Sequence, residues 1–198
     1  MNNPGMVVDK FEGAIKRSQS TSWDYLPGVI RGAAALTASA TDTRYNLFSL
    51  NRGGLTNKNY LSNIVSAAGV MPSDQSFLVE GLKFTLYSDG TNATTNLSVN
   101  EVRQIVSRTT FSLLVDGKPK TEGWLLSLSV PLAVWGVTGT MGIDVAMNTI
   151  AFKSISHNPI GIPPGVSFDI EAICTTPALV SPTYLVCELV GTRKIRLG

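Results

Sequence analysis

The side chains that could do chemistry in this sequence are few and scattered. His157 is the single histidine, and it lies in the loop segment SISHNP, where no sequence neighbour would orient or activate it. A catalytic histidine needs a partner group that fixes its tautomer and takes part in proton transfer. We therefore interpret His157 as a surface or turn-stabilising residue. The sequence also contains no G-x-S-x-G motif and no supported Ser-His-Asp arrangement.

The carboxylates give no catalytic pair. Glu80 falls on the apolar side of a predicted strand, which indicates an ion pair, a bulge near Gly81 or a subunit contact. Asp169 and Glu171 share the outward face of another predicted strand, and we interpret them as solvated or interface charges. One histidine and two cysteines cannot supply the four ligands of a zinc site. The sequence therefore predicts no enzymatic activity, no metal and no cofactor.

Two further patterns have a structural and a functional interpretation. The glycines of segment 136–142 recur every third residue, but a phosphate-binding loop would also need a lysine and a following helix. A tight turn is the preferred interpretation. Cys174 and Cys187 would lie nearly opposite each other if strands 165–174 and 184–190 were antiparallel neighbours. Two buried free thiols are preferred over a disulfide, and the choice stays open.

The composition is unusual for an isolated subunit. Charged residues make up 15% of the 198 residues and hydrophobic residues 43%, whereas typical soluble domains have roughly 25% charged residues. A surface this poor in charge is expected where neighbours cover large areas. The net charge of +2 is too small to indicate nucleic-acid binding. The first residues show no signal peptide, since no apolar run follows them.

Most of the chain shows the two-residue period of β-strands. The Asp116-Gly117 pair between two apolar runs predicts a hairpin. Helices are predicted at 57–68 and 98–108 from apolar residues at helical spacing. The fold class that follows is all-β: a single jelly-roll sandwich or barrel of about eight antiparallel strands, with two or three short helices in the connections. The main predicted strands are Arg44–Leu50, Phe77–Ser88, Thr110–Val115, Trp124–Val130, Ala151–Ile155, 165–174 and the strand that begins near 184.

Residues 1–43 are predicted to form an N-terminal arm, which becomes ordered through contact with other copies of the chain. Residues 44–198 are predicted to form the β-domain. The arm lacks a sustained apolar face, and Gly32–Thr43 consists of small, almost uncharged residues. The basic residues near the end of the chain either discourage edge pairing or contact acidic neighbours, nucleic acid or lipid head groups. The candidate assembly contacts are Phe11, Trp23, Tyr25, Leu26, Arg193, Lys194 and Arg196.

After the arm, four segments of the chain follow one another in the order FLVEGLKFTLYS, FSLLVDGKPKTEGWLLSLS, NPIGIPPGVSFDIEAI and LVCELVGTRKIRLG. This order resembles that of single jelly-roll structural proteins of virus particles, such as the small capsid proteins of tailless bacteriophages. The resemblance covers residues 44–198 and implies no catalytic residues and no cofactor. The arm lacks the strong positive charge found in many capsid proteins, which argues against direct genome binding.

Three functions are compatible with these observations. The first is a non-enzymatic virion shell protein, assembled in the host cytoplasm through sheet edges, loops and an exchanged arm. Its partners would be copies of itself and other virion proteins, with a lipid membrane or a host receptor as further candidates. The second is a carbohydrate- or receptor-binding β-sandwich that uses tryptophans and the polar loop 88–96. The third, an enzyme on the same fold, would need His157, Glu80 and another carboxylate within hydrogen-bond reach.

Overall fold

In the computed structural model of the chain, residues 23–50, 61–63, 69–88, 99–128, 148–179 and 182–196 are described. These residues contain nine β-strands and one α-helix, and a short 3₁₀ turn follows the fifth strand. The elements are β1 (Trp23–Leu36), β2 (Thr43–Asn46), β3 (Gln75–Ser88), α1 (Val99–Arg108), β4 (Thr109–Val115), β5 (Lys118–Trp124), β6 (Asn148–Ser154), β7 (Ile160–Ile162), β8 (Phe168–Cys174) and β9 (Thr183–Arg196).

The strands form two antiparallel sheets that pack face to face. Sheet A has the order β1-β9-β3-β6, and β7 also pairs with β3; sheet B has the order β2-β8-β4-β5. Because β6 pairs with residues 81–86 of β3 and β7 with residues 77–79, the two lie in succession along the same side of β3. β1 and β9 pair over the 14 residues of each strand. The described chain is therefore an all-β sandwich.

Alternate residues of the last two strands fill the space between the sheets, as their period predicted. α1 adds the apolar stripe that its helical spacing predicted. Buried side chains from the two sheets and the helix form one continuous core, which accounts for the low charge of these segments. The core residues that confirm these predictions are Phe168, Ile170, Ala172 and Cys174 of β8, Leu185, Cys187 and Leu189 of β9, and Val102, Ile105 and Val106 of α1.

β4 and β5 form the hairpin that Asp116-Gly117 predicted. Both turn residues have positive φ, 55° and 67°, as a two-residue type I′ turn requires. Pairing resumes immediately, with Val115 opposite Lys118. The return strand is therefore Lys118–Trp124, and the prediction of Trp124–Val130 is wrong. Pro119 is tolerated because β5 is the edge strand of sheet B.

A β-bulge at Glu80 changes which residues of β3 face the core. The pairing with β9 shifts at this residue, which is the extra residue of the bulge. As a result, Phe77 and Val79 before the bulge face the core together with Leu82 after it. Strict alternation along the predicted strand Phe77–Ser88 would place Leu78 on the same face as Leu82, and this expectation is wrong because of the bulge. Of the explanations offered for Glu80, the bulge is confirmed.

The arm prediction is wrong for residues 23–36, which form β1 and pair with β9 along their whole length. Ile30 of this strand is buried in the core. Small residues occur here because other backbone lies close: a Cβ added at Gly32 would be 2.4 Å from the Leu47 carbonyl oxygen. Residues 1–22 lie outside the described residues, and for them the arm stays a prediction.

The last two strands are not antiparallel neighbours, the arrangement that would have brought Cys174 and Cys187 opposite each other. β8 pairs with β2 and β4 in sheet B, whereas β9 pairs with β1 and β3 in sheet A. Cys174 and Cys187 therefore lie in opposite sheets, and both are buried with free thiols. The interpretation as buried thiols is confirmed. Burial raises the pKa of the Cys187 thiol well above its usual range.

The two long sides of the sandwich are joined differently. On one side, Lys153 of β6 reaches across to β5: its Nζ donates to Thr121 Oγ1 at 2.6 Å and to the Glu122 carbonyl oxygen at 2.9 Å. The same Nζ lies 5.6 Å from the centre of the Phe111 ring. On the other side, residues 37–42 connect β1 directly to β2. Side-chain bonds on one side and a short covalent connection on the other thus hold the sheets together.

Candidate assembly surfaces

The candidate contacts at the start of β1 and the end of β9 lie side by side. Lys194 Nζ is 5.4 Å from the centre of the Tyr25 ring, a cation–π distance, and Lys194 is only 4% exposed. Arg193 points to the opposite face of the sheet by alternation. The basic residues therefore do not form one positive surface. In the strand register, the paired candidates are Trp23–Arg196, Tyr25–Lys194 and Leu26–Arg193.

Among the candidate contacts whose side chains are described, Leu26 is the exposed apolar one. Its exposed fraction is 44%. Phe11 and the side chains of Trp23 and Arg196 lie outside the described part of the chain, so their role in assembly stays a prediction.

A cluster of three charges lies on the outer face of sheet A. Glu188 of β9 is directly opposite Arg31 of β1 and Lys83 of β3. Its Oε1 accepts a hydrogen bond from Arg31 Nε at 2.6 Å, and its Oε2 lies 3.0 Å from Lys83 Nζ. Burial alone would raise the pKa of Glu188, but hydrogen bonds and charge from Lys83 and Arg31 outweigh it and lower the pKa. Sequence reasoning missed this cluster, because only the sheet register brings the three residues together.

A small second hydrophobic cluster covers part of the same face. Leu61 is fully buried and packs with Ala33 of β1 and Val186 of β9. Tyr87 and Tyr184 pack against this cluster, with their ring centres 6.1 Å apart. The segment 61–63 therefore lies over the outside of sheet A, and this part of the face is not open to a partner.

The outer face of sheet B, in contrast, carries an open groove of about 620 Å³. Glu171 at its side forms an ion pair with Arg44 at 3.1 Å. The hydroxyl oxygen of Ser112 is buried and has no hydrogen-bond partner in the described part of the chain. Because a buried hydroxyl without a partner is unfavourable, a bound group that supplied one would be stabilised. The groove is also lined by Thr110, Leu114, Pro119, Glu122 and Ile173.

Asp169 beside this groove holds the turn that follows β2. Its Oδ1 accepts a hydrogen bond from the Phe48 backbone N–H at 2.8 Å. Burial raises the pKa of Asp169 to about 6, the backbone N–H groups of Phe48 and Ile170 lower it in part, and the charge of Glu171 raises it further. Asp169 is thus a hydrogen-bond acceptor in the fold and not the solvated charge that alternation suggested.

Exposed apolar residues also occur at the opposite end of the strands. Trp124 at the end of β5 is 42% exposed and Leu126 is 43% exposed. Trp124 Nε1 donates to the Ser107 carbonyl oxygen at 3.0 Å, which fixes the orientation of the ring. Trp124 is therefore not a core residue. Trp135 and nearly all of loop 88–96 lie outside the described residues.

The residues considered for catalysis are not joined. His157 is exposed in the turn after β6, and within the described residues no side-chain hydrogen bond or ion pair links it to Glu80 or to another carboxylate. Across the part of the chain that the structure describes, no three His, Cys, Asp or Glu side chains lie together in a way that could hold a metal ion. None of the described helices is long and apolar enough to cross a membrane. The glycine segment 136–142 and most of the predicted helix 57–68 are outside the described ranges.

Comparison of this chain with protein-family models, with curated protein sequences and with solved structures finds no match in any of the three.

Proposed function

We propose that this chain is a non-enzymatic structural protein of a virus particle, built as a single jelly roll whose copies assemble into a shell. The strand order carries the proposal. When β6 and β7 are counted as one interrupted strand, the first strand pairs with the last, the second with the seventh, the third with the sixth and the fourth with the fifth. This nesting is the path of one long hairpin rolled into two sheets, and the jelly roll recurs in viral capsids.

The exposed apolar residues support a subunit with neighbours on several sides. Leu26 and Leu50 lie near one end of the strands, whereas Trp124 and Leu126 lie near the other, and each is more than 40% exposed. Exposed apolar surface at separate places favours several contacts over one dimer interface. The low content of charged residues, 15%, also favours a subunit whose surface is covered by neighbours.

Loops and faces are favoured over sheet edges as contacts between copies. β5 carries Pro119, and its Glu122 carbonyl oxygen is already bonded to Lys153. β2 is only four residues long. Nucleic acid is a less favoured partner, because Arg31 and Lys83 are bound to Glu188. The proposed partners are copies of the chain and other virion proteins, with lipid or a receptor as further candidates.

Light scattering and negative-stain electron microscopy of the purified chain over a range of concentrations test this proposal. Rings or closed shells are expected, since homo-oligomers usually adopt closed symmetry. Leu26→Glu and Leu126→Glu should each reduce assembly, whereas Asn158→Glu in an exposed polar turn should not. A monomer at every concentration would contradict the proposal.

The carbohydrate-binding alternative is favoured by one observation. The Trp124 ring is exposed and held in place by its bond to Ser107, as an aromatic platform for a sugar would be. A glycan array tests it: binding that is lost in Trp124→Ala would support this function, and no binding by the unmodified chain would reject it.

A further inference from the structure

One side chain occupies part of the outer edge of β1, the edge that pairs with no other strand among the described residues. The Asn63 backbone N–H donates to the Arg31 carbonyl oxygen at 3.1 Å, and the Arg31 N–H donates to Asn63 Oδ1 at 2.7 Å. Asn63 Nδ2 donates to the Val29 carbonyl oxygen at 2.6 Å. A carboxamide has the same donor and acceptor as a peptide group, so Asn63 takes the place that a neighbouring strand would fill.

These bonds define which groups of β1 point to the free edge. In an antiparallel ladder, a residue directs both its N–H and its C=O to the same neighbour. Because Arg31 directs both groups to Asn63, the odd-numbered residues of β1 face the edge and the even-numbered ones face β9. Pro27 is an odd-numbered residue without an N–H, so it removes one donor from the edge. At each of the edge positions 27, 29 and 31, at least one backbone group is therefore missing or already bonded.

Leu61 holds Asn63 in this position. Its side chain is fully buried against Ala33 and Val186 on the outer face of sheet A. Asn63 follows two residues later and reaches the edge of β1. Leu61 thus packs on the outer face of β1, and Asn63 forms hydrogen bonds with the edge of the same strand.

Beyond Arg31, the edge has no charged residue to discourage pairing. Residues 32–38 read GAAALTA, and the edge-facing positions among them include Ala33 and Ala35. Long, regular and uncharged edge strands are the ones that pair with other chains. In an antiparallel pairing of two copies of β1 centred on Ala33, Arg31 of each copy would lie opposite Ala35 of the other. No like charges would meet in this arrangement.

We propose that Asn63 is an edge cap that keeps β1 of one copy from pairing with β1 of a second copy. The device acts on the free subunit before assembly, and it leaves the faces and loops as the surfaces through which copies make contact.

The test compares Asn63→Ala with the unmodified chain, both as free subunits. Asn63→Ala loses two of the three bonds, so hydrogen exchange of the Arg31 amide should rise about fivefold or more. At concentrations below those at which the unmodified chain assembles, sedimentation velocity should show a dimer or larger species of Asn63→Ala, whereas the unmodified chain should remain a single subunit. Adding Ala35→Lys should abolish this association, because the lysine would lie opposite Arg31 of the other copy. Adding Ala35→Ser, the uncharged control, should leave the association in place.

Two results would overturn the proposal: unchanged exchange of the Arg31 amide in Asn63→Ala, or faster exchange with unchanged sedimentation. If Asn63→Ala does not fold, Asn63→Asp replaces it, because it loses only the bond to the Val29 oxygen. A smaller rise in association then supports the cap, and no rise overturns it. Shells are scored separately by electron microscopy, so failure of the shell proposal leaves this result interpretable.

Discussion

The two outer faces of the sandwich hold a carboxylate of the same type in opposite ways. On sheet A, Glu188 is 7% exposed and lies between two cations on neighbouring strands. On sheet B, Glu171 also lies on an interior strand, but its partner Arg44 keeps 66% of its side chain exposed. The charges around Glu188 are paired with one another within the fold, whereas the face around Glu171 is open along its groove. Both carboxylates lie on interior strands, so position in the sheet does not determine whether a charged group is available to a partner. The burial of the carboxylate and of its ion-pair partners determines it.

The largest expected effect on stability comes from removing β1, the strand of sheet A that carries Arg31. Deleting residues 1–43 removes β1 and leaves β9 without its neighbour along 14 paired residues, so we expect no cooperative unfolding transition. Deleting residues 1–22 leaves every described strand in place, and we expect a folded protein. Far-UV circular dichroism during heating distinguishes the two outcomes. A folded chain without residues 1–43 would show that β1 is dispensable to the sandwich.

The same substitution on each face should differ in its effect on stability. Glu188→Gln leaves Arg31 and Lys83 without their carboxylate, and we expect it to lower the free energy of unfolding by about 2 kcal/mol. The cations keep about a third of their side-chain surface in water, so the loss is smaller than for a fully buried pair. Glu171→Gln removes an exposed ion pair, and we expect a loss below about 0.5 kcal/mol.

Urea denaturation of the two variants at neutral pH measures this difference. Equal m-values would show that both changes act on the same transition. Equal losses in the two variants would contradict the distinction between the faces.

The pH dependence of stability should also have opposite signs on the two faces. The pKa of Asp169 rises from its ordinary value of 3.8 to about 6 in the fold, so its contribution falls as pH increases between these values. The pKa of Glu188 is lowered from 4.5, so its contribution is complete above that value and is lost as pH falls. Asp169→Asn keeps an acceptor for the Phe48 N–H and should remove the decline between about pH 4 and 6.

Melting temperatures measured from about pH 3 to 7 test both signs. Glu188→Gln should flatten the acid limb only. An unchanged profile in Asp169→Asn would show that this carboxyl does not titrate in the assigned range.

Local rules of sequence predicted the parts of the fold that depend on local geometry. Asp116-Gly117 predicted its hairpin because few residues other than Asn, Asp and Gly accept two successive positive φ values. The alternation from Phe168 to Cys174 predicted a core-facing strand because successive side chains of a strand point to opposite faces of the sheet. The helix ending at Arg108 was predicted from its apolar stripe.

The errors come from contacts between distant segments. β1 was assigned to an arm because its small residues look weakly hydrophobic, yet Gly32 is small because the Leu47 backbone lies against it. The charge cluster around Glu188 and the groove around Ser112 depend on strand register, which alternation alone does not determine. Of the candidate assembly residues, sequence placed Leu26 at the surface but could not separate Arg193 from the buried Lys194.

The two ways of joining the sheets give the sandwich a mechanical direction. Six residues, 37–42, fasten β1 to β2 covalently, while the Lys153 bonds to β5 close the far side with one side chain. The chain that links β5 to β6 spans residues 125–147 and is longer than the connection from β1 to β2. Among the described residues, the Lys153 bonds are non-covalent and the β1–β2 connection is covalent, so the two sheets can separate further on the Lys153 side than along β1 and β2. If copies assemble into the proposed shell, the orientation of the β1–β2 connection would decide which forces the subunit withstands.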